Sequence, residues 1–166
     1  ALNIDLTTAR VAVGEETSLS AINAIIFPIM GTDTYQYKAT PNGFFSPATE
    51  EGPLAGSYDT DFYSFNEAAL MVKTPFTPAI SPVVYLLAKD GSVPDILPYT
   101  HAWYLFNLTE LGWNGIDTVF INGLWPLQGS FSHLSLYSTG TAVPEPASLL
   151  LLGLGLLGIA GIRRKK

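Results

Sequence analysis

The 166-residue sequence contains no cysteine. That single absence removes thiolate metal sites, thiol nucleophiles and disulfide bonds together. Basic side chains are scarce over residues 1–142, where only Arg10, Lys38, Lys73 and Lys89 stand against thirteen carboxylates and leave a net charge near −9. So acidic a surface repels a phosphate backbone, which argues against nucleic acid as a partner. The same balance is ordinary for a solvated extracytoplasmic domain. No nucleophile elbow, phosphate loop or His-Glu-x-x-His pair occurs, so the strong catalytic motifs are missing and a non-enzymatic chain without a cofactor is expected.

Uninterrupted helical periods are also missing ahead of the C-terminal segment. The 15 glycines and 12 prolines punctuate the chain at a spacing that suits short strands joined by turns. Aromatic and aliphatic residues run throughout, Trp103, Trp113 and Trp125 among them, so residues 1–142 hold enough apolar surface for one buried core. Residues 25–27 read as a strand halted by Pro28, and residues 35–39 alternate as a half-buried strand does. Residues 40–58 form the longest loop candidate. Residues 66–70 carry cap and helix formers and suggest a helical start. The runs 83–88 and 103–108 are the strongest strands, and Lys89-Asp90-Gly91 reads as a turn after the first of them. From residue 111 to 137 a Gly- or Asn-bearing turn is followed by a strand three times, with strands over 116–121, 124–127 and 130–137. About eight short strands fit an all-β antiparallel sandwich or jelly roll.

The last segment is of a different kind. Residues 147–162 carry no charge and are dominated by leucine and glycine; Arg163, Arg164, Lys165 and Lys166 follow. As a helix these residues rise about 24 Å, and snorkelling basic stems extend that reach toward a hydrocarbon core of about 30 Å. A single C-terminal transmembrane helix is expected, with the basic stop in the cytoplasm and residues 1–142 in the periplasm or outside. Pro144, Glu145 and Pro146 read as a rigid boundary, since proline at a helix start sacrifices no hydrogen bond. The start at Ala1, lacking a basic n-region and an apolar h-region, is one that removal of a signal peptide would produce, as would any other trimming of the chain.

Val143-Pro144-Glu145-Pro146-Ala147-Ser148, the Leu/Gly helix and the closing Arg-Arg-Lys-Lys together resemble the PEP-CTERM sorting signal. The resemblance covers residues 143–166 and implies bacterial export, anchoring, and processing near Pro144-Glu145-Pro146 by an exosortase-type membrane enzyme, often alongside extracellular polysaccharide. Those three residues would then be recognised by another protein's active site. The segment around Trp113-Asn114-Gly115-Ile116-Asp117 and the closing Ser-His-Leu-Ser-Leu-Tyr is similar to the final strands of such sorted β-sandwich proteins. Gly155, Gly158 and Gly161 give the helix a smooth stripe against which a second helix can pack.

Chemistry elsewhere is sparse. His101 and His133 are expected as strand or loop residues with satisfied hydrogen bonds. Asp59, Asp61, Glu50 and Glu51 are oxygen donors of the type calcium takes, but their spacing matches no established loop and solvated carboxylates are the expectation. A carboxylate pair for glycoside hydrolysis depends on separation in space, which sequence does not give. Trp103 and Trp113 flank the best strands and are expected in the core, whereas Trp125, beside Pro126, is the candidate for an exposed contact. The resulting functional expectation is a membrane-anchored structural or interaction subunit, its tail retained and packed against integral membrane proteins of a larger complex. The alternative is a surface-sorted, carbohydrate- or matrix-binding protein released from its tail.

Overall fold

The computed structural model describes residues 1–31, 34–43, 46–73, 83–91, 101–125 and 129–138. Among these residues ten strands and one helix appear in the order β1 (Leu2–Ile4), β2 (Ala12–Gly14), α1 (Leu19–Met30), β3 (Thr34–Thr40), β4 (Thr49–Glu51), β5 (Tyr58–Ser64), β6 (Glu67–Val72), β7 (Val84–Asp90), β8 (Trp103–Asn107), β9 (Val119–Asn122) and β10 (Phe131–Ser138). They form a four-stranded sheet ordered β1-β9-β6-β5 and a six-stranded sheet ordered β2-β8-β7-β10-β3-β4. All pairings are antiparallel except β1 with β9. The expected all-β sandwich is therefore present, with one short helix added.

The two sheets face each other across one apolar core. Ile4, Tyr58, Phe62, Leu70, Val119 and Ile121 from the smaller sheet meet Tyr37, Leu86, Tyr104, Phe106, Leu134 and Leu136 from the larger. The far face of the larger sheet is covered as well, because Ile22, Ile26 and Met30 of α1 pack on Leu87, Trp103, Leu105 and Tyr137. Burial on both faces explains why β7 and β8 are nearly continuous apolar runs instead of alternating ones. Every residue of β8 is buried. Gly14 sits where β2 passes under the Trp103 ring, and a Cβ there would run into it.

α1 overturns the strand reading of residues 25–27. Ser18 caps its start, its hydroxyl accepting from the Ala21 N–H at 3.3 Å. Ile22, Ile26 and Met30, four residues apart, are its buried stripe. Pro28 lies inside the helix on its exposed side, and Gly31, at φ 72°, ends it by donating to the Phe27 carbonyl at 2.8 Å. The β-branched isoleucines favour a strand locally, but the open face of the larger sheet rewards an i, i+4 stripe.

Other boundaries move for similar reasons. The suggested helical start at residues 66–70 is instead β6, paired on both sides with β5 and β9. The loop candidate 40–58 contains β4, and the turn expected at residues 89–91 begins only after Asp90, since β7 runs through it opposite Phe131. The strand expected over 116–121 is confined to Val119–Asn122, and no strand forms at Leu124 and Trp125.

Pro144, Glu145, Pro146, Gly155, Gly158, Gly161, Arg163, Arg164, Lys165 and Lys166 lie outside the described residues, as does the expected helix over 147–162. Among the described residues, no helix is long and apolar enough to cross a membrane.

Candidate functional site

Glu50 is not the solvated carboxylate that its sequence context suggests. Its side chain is 11% exposed and pairs with Lys73 Nζ. It also accepts from the Tyr37 hydroxyl at 2.8 Å and from the Thr60 N–H at 3.1 Å. Tyr37 further meets Thr60 Oγ1 at 2.8 Å, and Lys73 donates to the Ala55 carbonyl at 2.9 Å. Burial pushes the Tyr37 phenol well above its ordinary range, so it stays a neutral donor. Among the described residues, no group of three or more His, Cys, Asp or Glu side chains is placed to hold a metal ion.

The network also blunts a sheet edge. β5 is the outermost strand of the smaller sheet, and its Tyr58 and Thr60 N–H groups point away from β6. Leu54 C=O takes the first at 3.2 Å and Glu50 Oε1 the second. Glu50→Ala is expected to cost about 2 kcal/mol, from hydrogen bonds to a charged acceptor. Lys73→Met should cost under about 1 kcal/mol, because the lysine is a third exposed and its attraction is screened. Urea denaturation of the two variants checks the order; equal losses would mean that the ion pair, and not the edge cap, carries the energy.

Beyond Thr60 the β5 edge opens onto two clefts on either side of Phe62. One, of about 120 Å³, is lined by Pro41, Gly43, Phe62, Ser64, Phe65, Ser130 and Phe131. The other, of about 230 Å³, is lined by Ser46, Pro47, Asp61, Phe62 and Tyr63. Asp59 and Asp61 share the outer face of β5, since alternate residues of a strand point the same way, and Tyr63 projects from the irregularity that shifts the β5–β6 register between Phe62 and Ser64. Tyr63 is 39% exposed and Phe65, in the turn to β6, is 60% exposed.

This end of the sandwich is braced. Asn66 forms a two-way amide pairing with Trp125: its Nδ2 donates to the Trp125 carbonyl at 2.8 Å, and its Oδ1 accepts from the Trp125 N–H at 2.9 Å. Phe131 N–H donates to the Phe65 carbonyl at 3.0 Å. Sequence reasoning missed Tyr63 and Phe65. The available signal was the period-2 row Asp59, Asp61, Tyr63 leading into an aromatic-Asn turn.

Trp125, expected as an exposed contact, is instead 2% exposed. Its ring packs on Tyr104 and edge-on to Phe131, with centroids 5.8 Å and 5.1 Å away, and its Nε1–H donates to the His101 carbonyl at 2.7 Å. A non-strand segment folded inward hides this residue as well as a strand would.

The histidines divide. His101 Nδ1 meets Glu15 Oε1 at 2.7 Å, as a satisfied loop histidine should. His133 is buried, touches Ser132 Oγ at 3.2 Å through Nδ1, and among the described residues has no partner for Nε2. Burial lowers its pKa to about 4, helped by the Lys38 and Lys89 charges on the two neighbouring strands.

The PEP-CTERM protein-sorting motif matches residues 142–165. No curated protein and no solved structure matches the chain. The motif marks an exported, membrane-associated protein that an exosortase processes and that is sorted to the cell exterior.

Proposed function

We propose that the protein is a non-catalytic extracellular binding domain, carried outward by its sorting tail, that holds a neutral polysaccharide at the β5 clefts. The observation that carries this reading is the placing of exposed Tyr63 and Phe65 beside Asp61 around two braced clefts. Aromatic rings offer flat apolar surfaces to the C–H faces of sugar rings, and carboxylate oxygens accept from the hydroxyls at their edges. Such a site combines apolar walls with a few polar groups that fix orientation. A net charge near −9 over residues 1–142 disfavours uronate or sulfated polymers, so neutral glycans are the expected class.

Full-length protein in detergent, applied to a glycan array and then titrated calorimetrically, tests this. Tyr63→Ala and Phe65→Ala are each expected to weaken binding about tenfold, a loss of about 1.4 kcal/mol, with folding retained because both side chains are exposed. The reading fails if no neutral polysaccharide binds, or if both variants bind as well as the parent.

Membership of a larger membrane assembly with the tail retained is the competing reading. It requires the tail to escape the processing that the sorting motif directs, and that weighs against it. Mass spectrometry of the protein extracted from membranes decides: a chain that still carries residues 147–166 and co-purifies with integral membrane proteins would favour the assembly.

A further inference from the structure

The outer side of α1 is apolar over its C-terminal half, where Ala24, Ile25, Phe27, Pro28 and Ile29 are the exposed residues. Leu19, Ile25, Phe27 and Ile29 are 38–43% exposed, and the twelve residues of the helix include no charged side chain. A helix on a sheet ordinarily turns polar residues to water, so this face is built for a second apolar environment.

Its position in the sandwich identifies that environment. β10 ends at Ser138, which pairs with Thr34 of β3 and Val84 of β7. α1 ends at Met30, four residues before Thr34, and Tyr137 belongs to the same cluster as Met30, Ile26 and Ile22. The C-terminal half of α1, bearing Ile25, Phe27 and Ile29, is therefore at the end of the sandwich from which the chain continues to its tail. Only eight residues separate Ser138 from Ala147, where the apolar run begins, so a fully extended connection reaches about 30 Å. Phe131 and the clefts lie at the other end of β10, about 23 Å away along the strand.

We infer that, while the tail is in the membrane, the C-terminal half of α1 rests in the outer interface of the bilayer with Ile25, Phe27 and Ile29 as its contact residues. The inference rests on the membrane association that the sorting motif indicates and is independent of what the clefts bind. An uncharged helix gains nothing from anionic headgroups, so zwitterionic lipid suffices, with buried apolar area as the driving force. Docked this way, the domain turns the clefts outward.

The absence of cysteine makes the test direct. Phe27→Cys and, separately, Ile29→Cys are labelled with an environment-sensitive fluorophore in the full chain, which is reconstituted into phosphatidylcholine vesicles. Glu67→Cys, at the cleft end, is the control. The labels at 27 and 29 are expected to shift to the blue, to lose most of their emission to a lipid-borne quencher, and to resist aqueous iodide. The label at 67 should do the opposite. Iodide quenching at 27 and 29 equal to that at 67 overturns the inference. So does protection from iodide without lipid quenching, which would mean contact with protein, and so does failure of the full chain to associate with the vesicles.

Discussion

Trp125→Ala is expected to lower stability by about 3–5 kcal/mol, the range for deleting a large buried aromatic. Domains of this size are stable by about 5–15 kcal/mol in total, so the variant should stand near unfolding, its melting midpoint down by roughly 10 °C or more. The loss has several parts. The ring is 2% exposed and packs on Tyr104 and Phe131. Its Nε1–H is the donor to the His101 carbonyl, which would be left without it. Trp125→Phe keeps an aromatic body and removes that donor, and should cost about 1–2 kcal/mol. Thermal melts followed by circular dichroism compare the two. A loss below about 1 kcal/mol for the alanine variant would return Trp125 to the surface contact that its neighbour Pro126 suggests.

Acid should destabilise the protein through His133. Its folded pKa is about 4 against an ordinary 6.5, so between those values the unfolded chain binds a proton that the folded chain refuses. Stability therefore rises with pH through this window and falls as the solution is acidified from about 6.5 toward 4. The separation corresponds to about 3 kcal/mol, nearly all lost by pH 4. The physical source is the burial of a cationic imidazolium between Lys38 and Lys89, with no partner for Nε2 among the described residues. Carboxylates titrate in part of the same range, so the reading is the difference between the parent and His133→Gln in urea midpoints from pH 4 to 7. The glutamine variant should show the shallower slope. Parallel slopes would remove His133 as the cause.

Much of the fold was legible because it follows from local composition. The apolar runs at residues 83–88 and 103–108 predict β7 and β8, and alternation at 35–39 predicts β3, since a strand's side-chain period is written directly into the residue order. The tail was legible for the same reason: Pro144-Glu145-Pro146, an uncharged Leu/Gly run and four closing basic residues spell the sorting motif matched at residues 142–165 whatever the rest of the chain does. α1 was not legible. Its isoleucines carry β propensity, and the i, i+4 spacing of Ile22, Ile26 and Met30 matters only because β7, β8 and β10 present an apolar outer face to receive it.

The candidate site shows the same division. Glu50 and Glu51 look alike in the sequence, yet Glu50 is drawn into the Tyr37–Thr60–Lys73 network while Glu51 stays exposed. Successive residues of β4 simply point opposite ways. Trp125 loses the exposed role that its local context would give it, because Asn66 ties the 124–125 segment inward, while Phe65 in the β5–β6 turn is left projecting.

The sequence by itself determined that the chain ahead of the tail is cysteine-free, acidic and strand-rich and that its C-terminal segment carries the sorting motif, since composition, charge and period need no knowledge of distant contacts. Only the tertiary structure decided that residues 19–30 are a helix, that Trp125 is core, and that the β5 clefts and the apolar side of α1 lie toward opposite ends of the sandwich. Each of those depends on pairing between residues far apart in the chain, and burial is a property of what packs on a side chain as much as of the side chain itself.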